Sequence, residues 1–300
     1  MKVLVISGFL GAGKTTFIKQ MVETTKREYV IFENEFADIN IDGDILKNEL
    51  DNKSVEVWEM SNGCVCCSTK ADFSASLIVI ENSLKLDFLI VEPSGVAILS
   101  NVISNIQAVE YDQIKLLNPI TIVDCSTYFK YKNKYKDVFI DQITSTTNVQ
   151  LSKTEFVDKN EIELICKDIQ TLNPKVQIFK EDYHNEDINY WNNLFDGELI
   201  KKEKEDIVIS NQKLQNMSYT NSKCSSIESL IYFIDKIILG YYGNICRAKG
   251  IFQYSNFYIR FDLVDSNYEL SFIEKKETND VIFIGNDLKK DLLKNEVEKL

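Results

Sequence analysis

Val3-Leu-Val-Ile-Ser-Gly8-Phe-Leu-Gly-Ala-Gly13-Lys14-Thr15 decides the fold. Four apolar residues in a row, followed closely by glycine, mark a short strand buried on both faces. Gly8–Thr15 then fits G-x-x-x-x-G-K-[ST], and Thr16–Glu23 reads as a helix. In that order the glycines let backbone N–H groups converge on phosphate oxygens, and the helix amino terminus adds a field that favours negative charge. Chance matches to this pattern in a chain of this length come to roughly one in a hundred at background composition. Gly8, Gly11, Ala12, Gly13, Lys14, Thr15 and Thr16 are therefore the candidate nucleotide contacts. Lys14 would reach the β and γ phosphates, and the Thr15 hydroxyl would coordinate Mg²⁺.

Working outward, similar apolar runs recur at Val30-Ile-Phe32, Phe88-Leu-Ile-Val91 and Ile120-Thr-Ile-Val123, with room for helices between them. The alternation predicts an α/β domain, a mainly parallel sheet covered by helices on both sides. Beyond Val176-Gln-Ile-Phe179 the chain turns polar and acidic, and residues 180–206 read as surface helix and linker. Residues 207–300 read as a smaller α+β domain. Its elements are a strand or connector at Ile207–Ser210, a helix over 225–239, a strand pair across Ala248–Val264, a strand at Val281–Ile284 and a last helix from Asp287. On that helix Leu288, Leu292, Leu293, Val297 and Leu300 form one apolar face.

The 34 basic and 46 acidic side chains leave a net charge of -12 over 300 residues. Residues 210–300 hold twelve of each sign, so the whole acidic excess belongs to 1–209. That balance argues against nucleic acid and anionic membranes as partners, since both need a basic surface. The amino-terminal apolar run is too short for a spanning helix or a signal core. Seven cysteines, an odd number, point to reduced thiols and a cytoplasmic protein. Cys125, Cys166, Cys224 and Cys246 stand alone and read as core residues.

Asp87-Phe-Leu-Ile-Val-Glu92-Pro-Ser-Gly95 is a second strand-and-turn element. Glu92 would hold Mg²⁺ through water or orient the attacking water, and the Gly95 N–H would meet a γ-phosphate. Ser152-Lys153-Thr-Glu155 stands where guanine-binding proteins use Asn-Lys-x-Asp, with Glu155 keeping the charge on a longer arm. The same residues also fit a helix start capped by Ser152, with Glu155 three positions on.

Cys64-Val-Cys66-Cys67 supplies three soft donors in four residues, too close together for an unstrained disulfide but suited to a metal ion. Redox sensing and buried structural thiols are the competing readings. His184 is the single histidine, so carboxylates are the natural completion of such a site. Glu33, Glu35, Asp38 and Asp42 follow the second strand, where phosphate-loop proteins place a segment that rearranges with the γ-phosphate.

Together, GFLGAGKTT, ENEFADINID, NGCVCCS, DFLIVEPSG, NPITIVD, CRAKGIF and Ile282-Phe-Ile-Gly285 resemble the CobW family of GTPases, related to the UreG and HypB metallochaperones of the SIMIBI class. The resemblance implies a P-loop GTPase domain over 1–206 and a CobW-like domain over 207–300. It also implies GTP and Mg²⁺ as cofactors, and Zn²⁺ (or Co²⁺) held by Cys64, Cys66 and Cys67 with Glu33 and Asp38. Its partner would be a client metalloprotein or a cobalamin-related pathway protein, and a homodimer is a candidate assembly. Ser-Lys-Thr-Glu departs from the family's guanine motif, Glu-Pro-Ser-Gly replaces its Glu-Thr-Thr-Gly-like turn, and the histidine-rich stretch of many members is absent. The expected function is nucleotide-gated metal delivery with slow turnover, since Arg27, Arg247 and Arg260 offer no assignable arginine finger. A redox-controlled nucleotide switch and a nucleotide-dependent interaction module are the rivals.

Overall fold

A computed structural model describes residues 1–34, 55–59, 77–82, 87–110, 114–199, 215–273 and 279–300. The chain divides into two compact units, and among the described residues these are 1–199 and 215–300.

The first unit is built on a parallel sheet. Its strands are β1 (Lys2–Gly8), β2 (Tyr29–Asn34), β3 (Val55–Glu59), β4 (Phe88–Pro93), β5 (Lys115–Leu116), β6 (Ile120–Asp124), β7 (Asn148–Ser152) and β8 (Gln177–Phe179). They lie in the order β3-β2-β4-β1-β6-β7-β8, with β5 also paired to β1. Every pairing is parallel, with Val5 opposite Val91, Ile6 opposite Ile120 and Glu33 opposite Glu92. The four runs read from sequence are all strands, and β1 lies near the middle because both of its faces are apolar.

Those two faces feed two cores. Leu4 and Ile6 pack with Phe17, Ile18, Met21 and Val22 of α1 (Lys14–Thr25). Val3 and Val5 pack with Leu99, Val102, Ile103 and Ile106 of α2 (Leu99–Gln107), joined by Leu77 and Ile80. Further helices described in this unit are α3 (Tyr128–Lys134), α4 (Lys136–Thr144), α5 (Lys159–Leu172) and α6 (Ile188–Asn193).

Residues 183–195 correct the linker reading. Tyr183, Tyr190, Trp191, Leu194 and Phe195 are buried in the same core as α1, with Trp191 fully enclosed. Tyr190 and Trp191 come from α6 and Leu194 and Phe195 from the turn after it, and the acidic residues between the aromatics point the composition the wrong way.

The second unit is an antiparallel sheet of β9 (Gln215–Tyr219), β10 (Asn244–Tyr254), β11 (Phe257–Val264), β12 (Asn267–Ile273) and β13 (Val281–Asn286), in the order β12-β11-β10-β13-β9. Its core joins Phe261, Leu263 and Phe283 to Leu230, Phe233, Ile234 and Ile237 of α7 (Ile227–Ile238) and to Leu293 and Val297 of α8 (Lys290–Val297). Ser226 and Ser229 form a reciprocal capping box that starts α7. Leu292 departs from the expected apolar face of α8 and is exposed. Ile207–Ser210 lies outside the described residues.

Candidate functional site

In parallel α/β sheets ligands bind beyond the carboxyl ends of the strands, where neighbouring connections leave in opposite directions. Here the chain crosses from β1 over β4 to β2, and later enters β6 on the other side of β1. The carboxyl ends of β1, β4, β6 and β7 bring Gly8, Glu92, Asp124 and Ser152 to that edge.

Gly8 closes β1, and Phe9–Gly13 turns into α1 with Ala12 N donating to the Phe9 carbonyl at 3.1 Å. Gly13 caps the helix with φ +95, a left-handed backbone that a side chain would strain. Lys14, Thr15 and Thr16 therefore begin α1 at the positive end of its dipole. Phe9 anchors the loop from outside, ringed by Tyr131, Tyr135 and Phe139.

Lys14 and Thr15 both face Glu92. The Thr15 hydroxyl donates to Glu92 Oε1 at 3.1 Å, and Lys14 Nζ stands 4.0 Å from the same oxygen. Lys14 is 9% exposed and the Glu92 side chain 12%, so both charges sit in a recess. A hydroxyl and a carboxylate are hard oxygen donors of the kind Mg²⁺ takes, so these residues fit that ion. Gly95 lies against the phosphate loop: a Cβ there would stand 2.7 Å from the Leu10 backbone nitrogen.

Ser152 and Lys153 bond the phosphate loop directly. Ser152 Oγ donates to the Ala12 carbonyl at 2.8 Å, and Lys153 Nζ donates to the Gly11 carbonyl at 2.9 Å. Lys153, itself left-handed at φ 55, also pairs with Asp124 Oδ2 at 2.7 Å. Ser152 is thus a strut to the phosphate loop; the helical turn over Thr154–Phe156 begins after Lys153 and has no side-chain cap. Glu155 is exposed on that turn.

Asp124 is a buried residue of this site that the sequence reading passed over. It accepts from Ser126 N at 2.9 Å and Ser126 Oγ at 2.6 Å, and fixes the Lys153 ammonium. Its signal was present: Ile120–Asp124 is an apolar strand ending in an acid, as is Phe88–Glu92. Tyr183 was also missed, although its hydroxyl lies 3.9 Å from where a Cβ on Gly13 would be.

The family model described as CobW/HypB/UreG, nucleotide-binding domain, matches residues 2–180. The chain belongs to this family. A relative from Dictyostelium discoideum, "Zinc-regulated GTPase metalloprotein activator 1", is 27% identical over 60% of this chain and 45% of its own length. "Zinc chaperone CobW" from Sinorhizobium sp is 25% identical over 56% of this chain and 54% of its own length. The chain thus spans about half the length of the curated relatives it matches. Among solved structures, the Zn(II)-bound YjiA GTPase from E. coli overlaps all of this chain and 98% of its own, at 17% identity and a TM-score of 0.47. That likeness is too loose to bear on function.

Of the residues expected to hold a metal, Asp38, Cys64, Cys66 and Cys67 lie outside the described residues, and Glu33 is described only as a backbone position of β2, in register with Glu92. Among the described residues no three of His, Cys, Asp and Glu stand together as a metal site. Cys125, Cys166, Cys224 and Cys246 are free and buried. Burial pushes the Cys125 thiol up to about 12, helped by the Asp124 charge, and Cys224 up to about 11. Thiols held protonated in this way are packing groups, and the burial of all four cysteines agrees with the expectation for them. No helix among the described residues is long and apolar enough to cross a membrane.

Proposed function

We propose that this chain is a slow GTP-hydrolysing metallochaperone of the cytoplasm. Its GTPase domain is 1–206 and its smaller domain 207–300. The observation that carries the reading is the Lys14–Thr15–Glu92 cluster at the mouth of a phosphate loop braced by Ser152 and Lys153. Lys14 receives the β and γ phosphates, Gly95 meets the γ-phosphate, and Thr15 with Glu92 holds Mg²⁺. When bound, that ion neutralises charge developing between the β and γ phosphates. Of the two roles open to Glu92, the hydrogen bond from Thr15 favours the one beside the metal-binding hydroxyl. In hydrolysis water oxygen bonds to the γ-phosphorus as its bond to the β–γ bridging oxygen breaks, and the water proton leaves on inorganic phosphate.

Slow turnover is in keeping with two of the three arginines serving elsewhere. Arg27 bonds Asn192 Oδ1 at 2.8 Å and lies over the Phe88 and Phe195 rings, at the amino end of β4. Arg247 pairs with Asp262 at 3.0 Å in the second unit. The base contact falls to Glu155, whose longer arm relaxes the preference for guanine.

The cargo is a transition metal, zinc before cobalt because thiolates favour it, taken by Cys64, Cys66 and Cys67 with Glu33 and Asp38. The names of the relatives, a zinc chaperone and a zinc-regulated activator, support that choice. Glu33 and Glu92 are register partners on adjacent strands, so the acidic segment starts beside the phosphate site. Metal and nucleotide affinities are then reciprocally coupled. A client metalloprotein, in a cobalamin-related pathway or another, receives the metal, and a homodimer is the candidate assembly.

Hydrolysis by purified protein in Mg²⁺, with GTP and ATP compared, tests the reading. Glu92→Gln should slow GTP hydrolysis about 10²-fold while GDP affinity stays within a few-fold. Absence of nucleotide binding by the native protein, or a Glu92→Gln variant as fast as native, would overturn it.

A further inference from the structure

Ser94–Ala97, the turn that carries Gly95, and the first turn of α2 that follows it are held from behind by two adjacent side chains of α4. Gln142 is 1% exposed, and its Nε2 donates to the carbonyls of both Gly95 and Ala97 at 3.1 Å. A primary amide has two N–H donors, and both are spent on this one turn. Asp141, also buried, accepts from Ser100 N at 3.1 Å. That nitrogen belongs to the first turn of α2, whose own N-cap, Ile98, has no polar side chain to offer. Ser145 Oγ donates to the other Asp141 oxygen at 3.3 Å. The helix bearing the pair is itself fixed to the sheet, because Thr121 Oγ1 of β6 donates to the Gln142 carbonyl at 2.9 Å.

On its other side the turn is pressed against the phosphate loop at Leu10. It is therefore gripped between Leu10 and Gln142, with no slack toward the loop. Interactions that differ between two bound states set the discrimination between them, and a shift of a few tenths of an ångström in a preorganised N–H weakens its bond to an anion.

We propose that Gln142, supported by Asp141, is a positioning residue that sets the preference for nucleoside triphosphate over diphosphate by fixing Gly95 against the phosphate loop. The inference rests on the reading of Gly95 as the γ-phosphate contact. Gln142 stands behind the turn, so its removal should leave the sites of the α and β phosphates intact. A merely structural amide would lower stability and weaken both nucleotides alike.

The test is the affinity of full-length protein for fluorescent GDP and for a non-hydrolysable fluorescent GTP analogue, both in Mg²⁺. Gln142→Met keeps the length of the side chain and removes both donors. It should weaken the triphosphate analogue about tenfold and leave GDP within twofold. Thr121→Val, which removes a buried bond to the same helix but none to the turn, should lower the melting temperature and keep the native affinity ratio. If Gln142→Met fails to fold, Gln142→Asn, one methylene too short to reach both carbonyls, reads the same ratio. An unchanged ratio in the folded Gln142 variant overturns the proposal and leaves the GTPase reading standing. If the native protein binds neither nucleotide, the GTPase reading falls and this inference with it.

Discussion

Replacing Lys153 by Met keeps the stem and removes the ammonium that joins Gly11 to Asp124. Two interactions are lost together. The bond to the Gly11 carbonyl at 2.9 Å is charge-assisted, a class that contributes about 1.5–3 kcal/mol. The 2.7 Å pair with Asp124 would approach the 3–5 kcal/mol cost of breaking a buried pair only if both partners were enclosed; Lys153 is 39% exposed, so about 1 kcal/mol is the better figure. Asp124 keeps two bonds from Ser126, which further limits its loss. One ammonium makes both contacts, so they overlap, and the total comes to about 2–3 kcal/mol. For a unit of this size that corresponds to a fall in melting temperature of roughly 4–12 °C. The assay is thermal unfolding of nucleotide-free protein, followed by GDP titration, with exposed Lys159→Met as the reference. Asp124→Asn in the Lys153→Met background should cost less than it does alone, because the two residues share one interaction. A Lys153→Met melting temperature equal to that of Lys159→Met, with native GDP affinity, would refute the idea that this residue braces the phosphate loop.

Gly95→Ala should abolish measurable triphosphate binding, because the added Cβ would meet Leu10 backbone that cannot move aside without displacing the loop; unaltered binding in a titration would count against the observed packing. In the second unit, Lys236 bonds Glu296 and joins α7 to α8, holding the Glu296 carboxyl below its usual 4.5 and the Lys236 ammonium above its usual 10.5. A lowered carboxyl stabilises the fold above its unfolded value and loses that contribution as pH falls through the folded one. The raised lysine contributes below its unfolded value and loses that as pH rises through the folded one. Glu296→Gln should therefore be less stable than native at pH 7, and the difference should close in acid once the native carboxyl is protonated. Chemical denaturation across pH checks this.

Much of the first unit was legible in the sequence because a parallel strand buried on both faces is written as an unbroken apolar run, as at Val3–Ile6 and Phe88–Val91. The alternating Val-Glu-Val-Trp-Glu of β3 carries no such unbroken run. Residues 183–195 were hidden by composition, since a few large aromatics bury more area than the intervening acids disclose. Within the site, the phosphate loop and Glu92 followed from local spacing. The bracing did not: Lys153 meets Gly11 across 142 residues and Gln142 meets Gly95 across 47, and no local pattern encodes a partner at that range. Ser152 shows the limit from the other side, because a helix cap and a strut to Ala12 call for the same residue, and only the fold separates them.

Metal delivery gated by nucleotide is the central claim. Its most direct test is a zinc titration of reduced protein in the presence of a non-hydrolysable GTP analogue or of GDP, for the native chain and for Cys66→Ser with Cys67→Ser. The account predicts one tightly held zinc per chain, an affinity about tenfold or more apart between the two nucleotide states, and loss of both in the double variant. Equal zinc affinity in both states, or unchanged stoichiometry and coupling without the two thiols, would contradict it.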